Sequence, residues 1–294
     1  MELRPLGIGE IFDRALTLYV RNFLPFLGIV AAPYAALAPL HYVASAHAEP
    51  AWDRLVAVFE HLREGAHAAA LTPYFATPDV AMPILIGLSL FIAWPLMLGA
   101  CTIGVARLYR GREVGFRSCY RESLLHWPRI CGLLLLGGFI VAALYAVLWH
   151  ILWLLSLLPL GLVLCLAVSA TVVEDRAPFV AIGSAFARVF DRRGLGRATV
   201  FLLAWIAMLF GGDVLLYAVA IPTMTMHWLL PEVLLTTLVQ VVYTPILALA
   251  LVVYYFDVRV RREGLDVEAG LDRLASDAVT TSPILARPGS STSQ

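Results

Sequence analysis

The stretch that decides the fold is Ile130 to Val173, ICGLLLLGGFIVAALYAVLWHILWLLSLLPLGLVLCLAVSATVV, which holds no charged residue and one histidine, His150. As a single helix it would extend about 66 Å at 1.5 Å per residue, roughly two hydrocarbon thicknesses of a bilayer. The run is therefore predicted to fold as a tight helical hairpin. Pro159 and Gly161 place the break near Ser156 to Gly161.

The rest of the chain agrees with a lipid environment. Of 294 residues, 61% are apolar and 14% charged, with mean hydropathy +0.83. A soluble domain carries about 25% charge, and at this lower density there is too little polar surface to cover a water-soluble globule. Composition thus excludes a soluble enzyme, a disordered chain and a secreted disulfide scaffold. Further charge-free runs lie between Arg21 and Glu49, between Asp79 and Arg107, and from Val233 to Phe256. A run from Ala198 to Ile221 is interrupted only by Asp213. The expectation is an all-α membrane protein of six transmembrane helices, occupying residues 1–275 with crossings at about 23–46, 81–105, 130–154, 159–173, 198–221 and 233–256. Residues 276–294, rich in Ser, Thr, Pro and Gly, read as a disordered tail. Ala46-His47-Ala48 has the small-residue spacing of a signal cleavage site, but the apolar run before it is too long for a signal segment, so retention is expected.

All 21 positive charges are arginine, balanced by 21 acids, and this neutrality argues against a nucleic-acid partner. Their placement is lopsided. Nineteen arginines fall in the N-terminal segment, the loops after crossings two and four, and the tail; only Arg54 and Arg63 fall on the opposite side. By the positive-inside rule both termini are expected in the cytoplasm. Small outer loops are expected at Ser156–Gly161 and Pro222–Glu232. Membrane lipids are the expected partners, together with another membrane protein.

Short amphipathic stretches precede the odd-numbered crossings. In the first, Ile8, Ile11, Phe12, Ala15 and Tyr19 share one helical face, while Glu10, Arg14, Thr17 and Arg21 take the other. Gly9-x-x-Phe12-x-Arg14 recurs as Gly183-x-x-Phe186-x-Arg188, with a looser copy around Gly115, Tyr120 and Arg121. Three repeated units of interfacial helix, crossing, outer loop and crossing are one reading, and chance likeness among amphipathic helices is the other. Trp52, Leu55, Val56, Phe59 and Leu62 give the long outer loop a further amphipathic stretch.

The opening Leu3-Arg4-Pro5-Leu6-Gly7-Ile8-Gly9-Glu10-Ile11-Phe12-Asp13-Arg14 resembles the start of the bacterial glycerophosphoryl diester phosphodiesterase membrane domain family. Glu174 with Ala185-Phe186-Ala187-Arg188, and Tyr254-Tyr255-Phe256-Asp257-Val258-Arg259-Val260-Arg261-Arg262-Glu263, are similar to two further places in it. The resemblance spans residues 1 to about 270. It implies a six-crossing inner-membrane region that in some members is fused to a catalytic phosphodiesterase domain. That barrel needs about 200 residues or more of soluble chain, and the longest polar stretches here are far shorter, so no phosphodiesterase activity is expected.

Residues able to carry chemistry are few. Asp213, after Gly211 and Gly212, costs about 2.5–3.5 kcal/mol when ionised at mid-membrane and is the candidate intramembrane polar site, with Gln240 and His150 as partners. Glu60, Glu64 and His67 share a helical face, but Glu64-x-x-His67 would be one limb of a metal site with no second limb visible. Cys101, Cys119, Cys131 and Cys165 form no C-x-x-C pair. No phosphate-binding, nucleophile-elbow or zinc-protease motif occurs, and no cofactor is expected. Glu10, Asp13, Arg14, Glu174, Arg188, Asp257, Arg259, Arg261 and Arg262 form a cytoplasmic interfacial charge cluster, suited to bracing interfacial helices or meeting anionic lipid heads. The leading expectation is a non-catalytic scaffold, assembly or regulatory component of the membrane. A transporter or channel using Asp213 is the alternative, and a membrane-embedded lipid enzyme a second.

Overall fold

A computed structural model describes residues 4–45, 78–147, 150–225 and 229–263. The described residues form nine helices and no strand. In chain order these are α1 (Ile8–Arg21), α2 (Phe23–Ser45), α3 (Pro78–Tyr109), α4 (Phe116–Leu125), α5 (Trp127–Val147), α6 (His150–Val173), α7 (Pro178–Phe190), α8 (Arg192–Thr225) and α9 (Leu229–Glu263). Most of the long outer loop, with Trp52, Glu60, Glu64 and His67, and the tail 276–294 lie outside the described residues.

Among the described residues four helices are long and apolar enough to cross a bilayer: α2, α3, α8 and α9. A fifth span arises if α4 and α5, bent by 64° at their junction, act as one. Their outer faces carry large exposed apolar side chains, among them Leu135, Phe139, Leu203, Phe210 and Leu238. A face of this kind suits lipid.

The expected hairpin break at Ser156–Gly161 is not found. Helix α6 runs unbroken from His150 to Val173 through Pro159. The physical reason is that proline removes one ladder hydrogen bond, whereas ending a helix inside an apolar layer strands several. The expected outer loop Pro222–Glu232 likewise shrinks, because α8 continues to Thr225 and α9 begins at Leu229.

Helix α9 is the hub. Its consecutive residues Ala248 to Phe256 are all buried, the mark of a helix packed on every side. It packs against α1, α2, α3, α6 and α8. A stack of rings crosses this junction: Phe12 of α1 lies 5.6 Å from Phe201 of α8, which stacks 4.1 Å from Tyr254 of α9. Such offset aromatic pairs add about 0.5–1.5 kcal/mol each beyond burial.

The three short helices share one burial rhythm. Ile11, Ala15, Leu18 and Tyr19 of α1 are buried; Ala181, Ala185, Arg188 and Val189 of α7 are buried at the same spacing; Cys119 and Ser123 are the buried pair of α4. This phase is one turn away from the Gly-x-x-Phe-x-Arg correspondence. Phe12 packs against the core while Phe186 is exposed, and Arg14 is half-buried while Arg188 is buried.

Candidate functional site

The sequence grouped nine charged residues at the arginine-rich end of the bundle. The structure separates them into distinct assemblies, each built where a long helix ends beside a short one.

The first centres on Asp257, four residues before Arg261 on α9. Its carboxylate is fully buried, so every lone pair must find a donor. The backbone N–H of Leu6 donates to Oδ1 at 2.7 Å. Arg197, at the start of α8, donates Nη2 and Nε to Oδ2 at 2.7 and 3.2 Å. Arg261 donates Nε at 3.2 Å. The two guanidinium groups also reach the Leu6 carbonyl, Arg261 through Nη2 at 2.7 Å and Arg197 through Nη2. Both backbone polar groups of Leu6 are thus held, and the chain entering α1 is fixed against α8 and α9.

The second centres on Glu174, which follows the last residue of α6. Tyr255 donates its hydroxyl to Oε1 at 2.5 Å. Arg188 lies 2.9 Å from the same oxygen, Arg259 3.5 Å away, and Arg176 meets Oε2 at 2.5 Å. Glu174 and Arg188 are 7% and 6% exposed, so the central ion pair of this network is buried. The guanidinium groups of Arg188 and Arg259 also lie 5.7 and 5.8 Å from the centre of the Tyr255 ring, within range of cation–π attraction. The next residue, Asp175, takes φ 53°, a left-handed turn that aspartate tolerates. It is met by Arg129 and by His126 Nε2 at 3.3 Å.

A third assembly uses residues that were not grouped from the sequence. Arg107 near the end of α3 donates to Ser118 and Glu122 of α4 at 2.6 and 2.7 Å. Each short helix is therefore clamped from the end of a long one: α4 from α3, α7 from the end of α6, and α1 from α9.

The remaining grouped residues have local roles. Glu10 accepts from the Gly7 N–H at 2.6 Å and from Arg4 at 2.8 Å, capping α1. That backbone hydrogen bond, and then Arg4, hold its carboxyl below the ordinary carboxylate value. Asp13 and Arg14 line a shallow groove on the exposed side of α1, and Arg14 sits beside Tyr109. Arg262 pairs with Asp191 at 3.1 Å and donates to the Ala187 carbonyl at 2.9 Å, tying α9 to the end of α7.

Away from this end, Asp213 lies on α8 with an exposed side chain. It lines a cavity of about 200 Å³ between α2, α3, α8 and α9, shared with Gln240, Tyr34, Trp94, Tyr243 and Thr244. The cavity brings Asp213 together with Gln240; the side chain of His150 lies outside the described residues. Gly212 lets Tyr243 pack directly on the backbone of α8: a Cβ there would stand 2.2 Å from the ring. Tyr243 donates its hydroxyl to the Met208 carbonyl. Among the described residues no group of three or more His, Cys, Asp or Glu is arranged to hold a metal ion. The four cysteines are free thiols.

Residues missed from the sequence are Arg197, Arg176, Tyr255, Arg107 and the Leu6 peptide. Tyr255 stands beside Asp257 in a quoted motif, and the arginines were counted only as topology markers. The Leu6 backbone gives no sequence signal, because every residue except proline has an N–H. The assemblies define a helical bundle whose charges bind its own elements together. No family model matches the chain, and neither a curated protein nor a solved structure does.

Proposed function

We propose that this protein is a non-catalytic, multi-pass component of a bacterial inner membrane, acting as a scaffold, assembly or regulatory partner, with both termini in the cytoplasm. The observation that carries this reading is the Asp257 carboxylate. Its two oxygens are taken up by Leu6, Arg197 and Arg261, which makes it a clamp and leaves it poorly suited to transferring protons. Glu174 is held in the same manner.

Six crossings, in three units of α1–α2–α3, α4–α5–α6 and α7–α8–α9, fit the clamping order. Within the chain the end of one unit secures the short helix of the next, and the last unit secures the first. The shared burial rhythm of the short helices supports the same division. The likeness to the glycerophosphoryl diester phosphodiesterase membrane domain family is part of this proposal. The residues that carry it, Leu6, Glu174, Arg188, Asp257, Arg259 and Arg261, are those that build the two buried clamps.

The test is incubation of purified protein with labelled phospholipids and glycerophosphodiesters. No turnover above a heat-treated control is expected; turnover abolished by Asp257→Asn or Glu174→Gln would overturn the reading. A second reading, a path for a small solute, is favoured by the cavity that Asp213 and Gln240 share. Solute or proton flux into proteoliposomes that vanishes in Asp213→Asn would establish it in place of the first.

A further inference from the structure

Asp213 sits three residues before the end of the apolar stretch Gly194–Leu216 of α8. Asp257 and Glu174 have their oxygens taken up by donors of the chain. Asp213 differs. Neither its carboxylate nor the Gln240 carboxamide that shares its cavity makes a hydrogen bond or an ion pair among the described residues. An ionised acid among apolar helices is costly without a counter-charge. The cavity therefore offers one uncompensated negative charge and one uncommitted amide.

The walls say which cation fits. Three aromatic side chains, Tyr34, Trp94 and Tyr243, line the same cavity as Asp213. Two of them are pinned: Tyr243 donates its hydroxyl to the Met208 carbonyl, and the Tyr34 hydroxyl lies 3.4 Å from Thr244 Oγ1. Gly212 lets the Tyr243 ring lie on the backbone of α8, next to Asp213. The rest of the lining is Gly212 and four aliphatic side chains. A calcium or magnesium ion takes six or more oxygens, far more than this lining leaves uncommitted. An organic ammonium ion gains from aromatic faces as well as from a carboxylate. At about 200 Å³ the cavity holds the volume of about six or seven waters, a size for a small cation. Tyr34 and Trp94 also line an adjoining cavity of about 270 Å³, with room for a substituent on the nitrogen.

We propose that this cavity binds a small organic ammonium ion, with the Asp213 carboxylate meeting its charge and Tyr34, Trp94 and Tyr243 meeting its carbon groups. The proposal rests on the cavity of the second functional reading and names its ligand class, but it does not require the ligand to pass through the bundle.

The experiment uses the full chain in a mild neutral detergent, titrated calorimetrically with choline chloride, with sodium chloride, and with the uncharged carbon isostere of choline, tert-butyl replacing trimethylammonium. Saturable binding of choline is expected, with the isostere at least about tenfold weaker because it lacks the charge. Sodium chloride should give no saturable heat. Asp213→Asn should weaken choline about tenfold or more, and Trp94→Leu about fivefold. Glu113→Gln, an exposed acid on the turn before α4, should change nothing. Asp213→Asn should melt no lower than the native chain, since it removes an unpaired charge, and this separates loss of ligand from loss of fold. Competition by short-chain phosphatidylcholine supports the site with a lipid head group as the source of the ammonium; its failure to compete supports the site with a free amine. Equal binding of the isostere, unchanged affinity in Asp213→Asn, or no saturation overturns the proposal. Solute flux lost in Asp213→Asn without saturable choline binding would keep the second functional reading and overturn this one. The clamp reading is tested separately by the turnover assay.

Discussion

The Asp257 carboxylate accepts a hydrogen bond from the backbone amide of Leu6, 251 positions earlier in the chain. That bond and the two arginines around it close the bundle, joining the entry to α1 to the exit of α9. Removing one partner of a buried ion pair costs about 3–5 kcal/mol. Asp257→Ala is therefore expected to lower stability by about that amount and to free the segment before α1. Thermal unfolding in detergent measures the first effect, and cleavage by a protease near residues 4–8 the second. Asp257→Asn keeps one acceptor oxygen and should fall between the variant and the native chain.

The Glu174 network gives a graded series. Tyr255→Phe removes a hydrogen bond to a charged acceptor, worth about 1.5–3 kcal/mol, while Arg188 and Arg176 still neutralise the carboxylate. Arg188→Ala leaves Glu174 buried with less compensation and should cost more. The order Arg188→Ala below Tyr255→Phe in melting temperature is the expected result, and the reverse order would show that the hydroxyl, not the ion pair, holds α7.

Adjacent glycines on α8 make opposite forecasts. Gly212→Ala would place a methyl 2.2 Å from the Tyr243 ring, so α8 and α9 must separate at a cost of about 1–3 kcal/mol. Gly211→Ala meets nothing within 4 Å and gains helix propensity, stabilising by about 0.5–1 kcal/mol. Melting temperatures of the two variants, moving in opposite directions, are the check. Tyr243→Ala should rescue Gly212→Ala.

Glu10 brings a pH dependence. Its folded-state carboxyl titrates below the ordinary value of 4.5 because the Gly7 amide and Arg4 favour the charged form. A depressed acid contributes stability above its unfolded pKa and loses it as pH falls through the folded one. The first turn of α1 should therefore fray below about pH 4.5. Hydrogen exchange at the Ile11 amide, which donates to the Gly7 carbonyl at 3.0 Å, should speed up there in the native chain. In Glu10→Gln that step should be absent.

What could be read from sequence followed the strength of each physical signal. Long apolar runs located α2, α3, α8 and α9 because a charge-free helix has one natural solvent. The amphipathic face of α1, with Ile11, Ala15 and Tyr19, was legible from its 3.6-residue period. Pro159 misled, since a single proline is a weaker stop than the apolar layer is a constraint. Glu174, Arg188, Asp257 and Arg261 were grouped by charge alone, and the structure divides them between two assemblies, because which acid meets which base depends on packing between elements far apart in the chain. Arg197 and the Leu6 peptide were therefore out of reach. Asp213 and Gln240 were paired because polar groups are scarce among apolar neighbours, and both line one cavity.

The Leu6–Asp257 bond also sets a chronology. Leu6 leaves the ribosome 251 residues ahead of the carboxylate that secures it, and a chain is made from its N-terminus onward. Among the described helices α1 is thus made first, and the carboxylate that secures its entry belongs to the last of them. A chain cut short of Asp257 has no acceptor for the Leu6 amide, so the entry to α1 is left without its buried anchor.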